Sequence, residues 1–146
     1  MKDIDKGFAR FAKAIKSAKD TKLEVGLFRD TGKNDGVYIA DYAYANEFGT
    51  EAIPSRPFLR TTFDENEENW SEFFNRKLEQ VFNEKISLDD AISLLAEKAV
   101  DDVKNTISNR NFLPKLNEET IKKKGSSKTL VDTGTMRNSV SYRVKK

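Results

Sequence analysis

The apolar residues of positions 3–19, Ile4, Phe8, Phe11, Ala12, Ile15 and Ala18, recur at steps of three and four and form one stripe, with lysine and arginine opposite. That period predicts an amphipathic helix. A basic helix of this kind is expected to cover a sheet rather than to lie on a membrane or on nucleic acid. From Lys22 to Arg29 the period changes to two, with Leu23, Val25 and Leu27 on one face, which predicts a strand. The strand ends at Asp30–Gly36, a run of loop formers with two glycines four apart. This run lacks the Gly-Lys-Ser/Thr ending of a phosphate loop, so it carries no nucleotide-site signature. Val37–Phe48 then predicts a short helix with Ile39, Tyr42 and Ala43 on one face, closed by Gly49 as a left-handed cap.

Residues 50–57 hold Pro54 and Pro57, and each proline disfavours helix in the residue before it, so the segment is expected to run extended. Pro57 suits the first turn of the next helix, predicted over 58–84 from Leu59, Phe63, Trp70, Phe73, Phe74, Leu78, Val81 and Phe82. The acidic run Asp64–Glu68 reads as the solvated first half of that helix, opposing its positive end, in preference to a metal or acid/base site. Ser87 and Asp90 form a capping pair, and behind them Leu88, Ala91, Ile92, Leu95, Ala99, Val103 and Ile107 give the cleanest helical pattern in the chain. Residues 108–129 are irregular and basic, with one helical turn around 118–123, and a loop of that length is expected to do work or to fold onto a partner. Val140, Tyr142 and Val144 alternate with Ser141 and Arg143 in a closing strand. Together these elements predict an α+β fold in a single domain spanning 1–146. Its small, mostly antiparallel sheet is built from 22–29 and 139–145 with an edge from 51–56, and helices pack on one face.

A chain of 146 residues buries roughly two-thirds of its unfolded surface, so one core suffices. Hydrophobic residues at 37% against charged residues at 34% allow that core but leave a heavily charged surface. The absence of cysteine and histidine removes thiol nucleophiles, Ser-His relays, imidazole bases and Cys/His zinc sites. It also means that no disulfide framework helps to hold the fold, which a reducing compartment tolerates. No stretch approaches the roughly 18 apolar residues needed to span a bilayer, and the first twenty residues mix charge among their apolar positions, so a soluble chain without a secretory signal or membrane partner is expected. Any enzyme would have to work with carboxylates, Lys, Tyr or Ser alone, and a carboxylate hydrolase using Asp64 and Glu68, which share a helix face, rests on an exposed acidic face of an ordinary kind. The expectation is therefore a protein that is not an enzyme, with no catalytic residue, cofactor or metal.

Charge is unevenly spread. Residues 38–109 carry seven Lys/Arg against fifteen Asp/Glu, residues 110–146 carry ten against three, and residues 1–37 carry nine against six. An acidic side and a basic side on one subunit suit head-to-tail contact between copies.

Two stretches carry a family resemblance. The first is Tyr44-Ala45-Asn46-Glu47-Phe48-Gly49-Thr50-Glu51 followed by Ile53-Pro54-Ser55-Arg56-Pro57-Phe58-Leu59-Arg60. The second is Leu130-Val131-Asp132-Thr133-Gly134-Thr135-Met136-Arg137-Asn138-Ser139-Val140, preceded by Leu116 and by Thr120-Ile121-Lys122-Lys123-Lys124-Gly125. In tandem they resemble the small neck or tail-completion proteins at the head-tail junction of tailed bacteriophages, and the second is also similar to phage virion-morphogenesis proteins. The resemblance implies a structural virion protein that forms a homo-oligomeric ring. Its implied partners are a connector or head-closure protein and a tail terminator or tail tube protein, with DNA passing through the channel. The implied location is the virion, and the host cytoplasm during assembly. A tail terminator or minor tail protein is the closest alternative. A nucleic-acid-binding module stacking bases on Phe112 and Tyr142 is a more distant one.

The motif residues also have structural readings. Asn46, Glu47, Phe48 and Gly49 would close a helix with Phe48 buried, while Pro54 and Pro57 fix an extended segment. Arg56 and Arg60 are candidates for contact with carboxylates or carbonyls, Phe58 for anchoring the following helix. Asp132 and Thr133 would accept backbone amides, Gly134 would permit a sharp turn, Met136 and Val140 would face the core, and Arg137 would stay on the surface. The basic stretch containing Lys122, Lys123 and Lys124 is the better candidate for partner contact.

Overall fold

The computed structural model describes residues 2–112 and 134–146, with residues 2–6 as backbone only. The elements are α1 (Lys2–Ser17), β1 (Lys22–Gly26), a 3₁₀ turn (Arg29–Thr31), β2 (Lys33–Asn34), β3 (Val37–Tyr38), α2 (Ile39–Phe48), α3 (Phe58–Phe82), α4 (Leu88–Asn109), α5 (Thr135–Asn138) and β4 (Ser141–Lys145). This is an α+β architecture with antiparallel strands.

β1 pairs with β4, setting Leu23 opposite Val144 and Val25 opposite Tyr142. Val25, Leu27 and Tyr142 pack on a core of Ala43, Phe58, Val100, Val103, Ile107, Phe112, Met136 and Val140. The ladder is shorter than the alternation suggests. The turn of α5 holds residues 135–138, so β4 begins only at Ser141, the partner of Gly26, and residues 27–29 have no strand to pair with.

Two further expectations are corrected. Residues 51–56 form no strand, because the Thr50 hydroxyl accepts the amides of Ala52 (3.2 Å) and Ile53 (2.9 Å), and the Thr50 amide donates to the Ile53 carbonyl at 2.7 Å. That local closure consumes groups a ladder would need. Within the segment 30–36, read as loop, Lys33 and Asn34 pair with Tyr38 and Val37 in a two-residue hairpin. Its turn residues Asp35 and Gly36 both have positive φ, 50° and 81°, as a primed hairpin turn requires. Val37 and Tyr38 therefore belong to β3, and α2 starts at Ile39.

α4 is the structural centre, with Ala91, Ile92, Ala96, Ala99, Val100, Val103 and Ile107 buried. Its start has both halves of a capping box: Ser87 Oγ accepts the Asp90 amide at 3.0 Å and Asp90 Oδ2 accepts the Ser87 amide at 3.1 Å. Ser87→Ala is expected to lower the stability of the fold by about 1 kcal/mol, read as a shift in the urea midpoint at unchanged slope.

α3 lies along α4 and is joined to it by polar contacts. Trp70 Nε1 donates to Asp102 Oδ2 at 2.7 Å, and the buried Thr62 hydroxyl lies 2.7 Å from the hydroxyl of Thr106. α1 packs against the C-terminal end of α3, with the Phe11 and Phe82 rings edge to face at 5.5 Å and Arg10 paired to Glu84 at 2.8 Å. It was expected to cover the sheet, a role that α4 fills. The face turned toward the protein is that of Gly7, Phe11, Ala14 and Ala18, which leaves Phe8 and Ile15 of the apolar stripe uncovered, 60% and 40% exposed.

Candidate functional site

The first motif folds into a clamp between α2 and α3. α3 begins after Pro57, which has no side chain able to accept the first amides of the helix. The carboxylate of Glu47, in the last turn of α2 and only 3% exposed, does so instead. It accepts the amides of Leu59 at 2.8 Å and Arg60 at 3.0 Å, and Arg60 Nε at 3.0 Å. A negative group at a helix N-terminus is favoured by the helix dipole, and charge-assisted bonds are the strong ones. The Glu47 backbone carbonyl accepts Arg60 Nη2 at 2.7 Å and Ser55 Oγ at 2.9 Å. One residue earlier, the Asn46 carbonyl accepts the Arg56 amide at 2.6 Å while Asn46 Nδ2 donates to the Tyr42 carbonyl at 3.0 Å.

Gly49 makes the return possible. Its φ of 79° and ψ of 162° lie outside the left-handed helical region expected for a cap, in a region that is essentially glycine-only. A Cβ there would stand 2.9 Å from the Ser55 backbone nitrogen and 3.2 Å from the Ile53 carbonyl oxygen. Phe58 is fully buried and Arg56 is buried, while Pro54 is exposed and Pro57 half-buried.

Phe48 reverses its expected burial. It is 53% exposed, and its ring lies 4.7 Å from that of Tyr44, itself 66% exposed, with the Arg60 guanidinium 5.0 Å from the Phe48 centroid. The sequence reading did not single out Tyr44. The i, i+4 spacing of two aromatics, on the side away from Ile39 and Ala43, was the available signal.

In the second motif, Gly134 takes φ 75° and ψ 0° at the start of α5, and Met136 and Val140 are buried in the core with Phe58 and Ala43. The two motif stretches therefore share one core cluster. Arg137 is a correction: it is half-buried, and its Nε donates to Ser108 Oγ of α4 at 2.6 Å, so it fastens α5 to the central helix. Lys122, Lys123, Lys124, Asp132 and Thr133 lie outside the described residues, as does most of the basic stretch. At its start, Arg110 pairs with Glu65, and Phe112 is in the core.

The acidic run is exposed at Asp64, Glu65, Glu67 and Glu68, whereas Asn66 turns inward and donates to the Thr62 carbonyl at 2.8 Å. Among the described residues no group of three or more His, Cys, Asp or Glu is placed to hold a metal ion. None of the described helices is long and apolar enough to cross a membrane. A cavity between the β2–β3 hairpin, α2 and α5 is lined by Asn34, Asp35, Val37, Ile39, Tyr42, Thr135 and Met136. Among the described residues of that lining Asp35 is the one carboxylate. No protein-family model matches the chain, and no curated protein or solved structure matches it significantly.

Proposed function

We propose that this chain is a structural subunit of the neck of a tailed bacteriophage, forming a ring that joins the head connector to the tail. The observation that carries the reading is the pair of motif stretches, 44–60 and 130–140, in the order and chemistry of neck and tail-completion proteins. The packing of Phe58 from the first with Met136 and Val140 from the second in one core cluster supports it, because two motifs from distant parts of a chain then cooperate in one fold. The subunit acts by association. Ring closure makes a head-to-tail contact finite, and DNA passes through the channel. The protein would reside in the virion, having assembled in the host cytoplasm.

A tail terminator or minor tail role would fit a similar compact fold and differs in which virion part is bound. The nucleic-acid module is weakened by burial of Phe112 and partial burial of Tyr142, since stacking needs free ring faces.

The test is native mass over a range of protein and salt concentrations, with negative-stain images, followed by addition of purified heads and tails. A closed ring of roughly six to twelve copies that loosens as salt rises, and that binds both heads and tails, is the expected result. Binding to tails alone moves the assignment to a terminator. A monomer that ignores both parts and binds DNA with a steep salt slope overturns it.

A further inference from the structure

The 25 residues of α3 make a rod roughly 37 Å long at 1.5 Å per residue. An exposed apolar patch stands at each end of it. At the N-terminal end, where Glu47 caps the helix, α2 presents Tyr44 and Phe48, 66% and 53% exposed. At the C-terminal end, where Phe11 meets Phe82, α1 presents Phe8 and Ile15, 60% and 40% exposed.

The borders of the two patches differ in charge, basic at α1 and mixed with a surplus of carboxylates at α2. Lys13 and Lys16 are exposed on α1 and Lys19 just beyond its end. At the α2 patch Asp41, 3.8 Å from Arg29, lies one turn before Tyr44 and Glu51 lies three residues beyond Phe48, both exposed. The Arg60 guanidinium over the Phe48 ring is held by Glu47. Aromatic anchors inside a charged rim are the composition of an interface hot spot. Because the patches differ from each other and lie at opposite ends of the subunit, pairing one with the other leaves a free patch of each kind at the two ends of any open chain of copies. That is the heterologous geometry from which rings are built.

We propose that the α1 patch of one copy, Phe8 and Ile15 with their lysine border, docks on the α2 patch of the next, Tyr44 and Phe48 with their carboxylate border. This contact rests on the ring reading and names its interface. Both patches are surface features of the folded subunit, so truncating them should leave the fold intact.

The experiment uses two variants of the full chain, Phe8→Ser/Ile15→Ser and Tyr44→Ser, with thermal melts to confirm that each folds. Sedimentation measures self-association of each variant alone and of an equimolar mixture. Each variant alone is expected to lose about thirtyfold or more in association. The mixture is expected to stop at a one-to-one dimer, because it keeps one intact α1 patch and one intact α2 patch. As an independent readout, Ile15→Cys and Tyr44→Cys in a chain that has no other cysteine should cross-link to each other with a short bis-maleimide and not to themselves.

Wild-type rings that persist in both variants overturn this contact and leave the ring. A defect in only one variant overturns the pairing of these two patches. A wild-type protein that is monomeric at every concentration overturns the contact, and the neck reading is then decided by binding to heads and tails. Retained assembly, with loss of binding to anionic vesicles on removing the α1 patch, assigns that patch to a lipid surface and overturns the proposal.

Discussion

Glu47→Ala is expected to lower the stability of the subunit by about 2–4 kcal/mol, the cost of leaving two helix-start amides without their acceptor, since the half-exposed Arg60 guanidinium can turn to water. Few single changes should do more, because the side chain serves two ends at once. It accepts the second and third amides of α3, which have no local cap, and it fixes the Arg60 guanidinium that closes back on the carbonyl of Glu47. Truncation leaves those part-buried amides without their acceptor, and unsatisfied donors are costly in proportion to their burial. Glu47→Gln should lose less, since its carbonyl oxygen still accepts one amide. Urea denaturation of the three proteins measures the series. Equal stability of wild type and Glu47→Ala would show that the capping bonds contribute nothing.

The second large effect is at Gly49, where alanine is expected to cost about 3 kcal/mol, combining a backbone region closed to side chains with a steric conflict. The atom a Cβ would meet is the Ser55 backbone nitrogen, which cannot rotate away as a side chain could. Gly49 and Glu47 hold the same return of the chain, so their effects should not add. A double variant less destabilised than the sum would show that the clamp breaks as a unit.

The parts of this arrangement differ in how visible they are in the amino-acid order. α4 is legible because the cap at Ser87, the apolar period and the absence of breakers agree over its whole length. The clamp is not. Glu47 reads as an ordinary charged residue near a helix end, and only the arrival of Leu59 and Arg60, twelve and thirteen residues later, makes it buried. Arg137 is misread for the same reason, since its partner Ser108 lies on α4. The hairpin over 33–38 was announced by Asp35-Gly36, but its flanking strands of two residues are too short to show a period. For α1 the pattern identified the apolar stripe correctly. A stripe does not say how much of its width is covered, and here Phe8 and Ile15 fall outside the part that packs on α3.

The β1–β4 ladder carries a further consequence. Among the described residues each of its strands has only one neighbour, so each presents an open edge, the usual starting point for uncontrolled stacking of chains. On one face of this ladder two of the three paired positions are charged on both strands: Lys22 stands opposite Lys145 and Glu24 opposite Arg143, with Gly26 opposite Ser141 as the third. Glu24 and Lys145 form an ion pair at 3.0 Å. An added strand would have to set its own side chains beside that row and strip water from it, a cost that grows with each residue paired. Fibril growth along the backbone is thereby discouraged, and any contact between copies is left to side-chain surfaces, which can be specific.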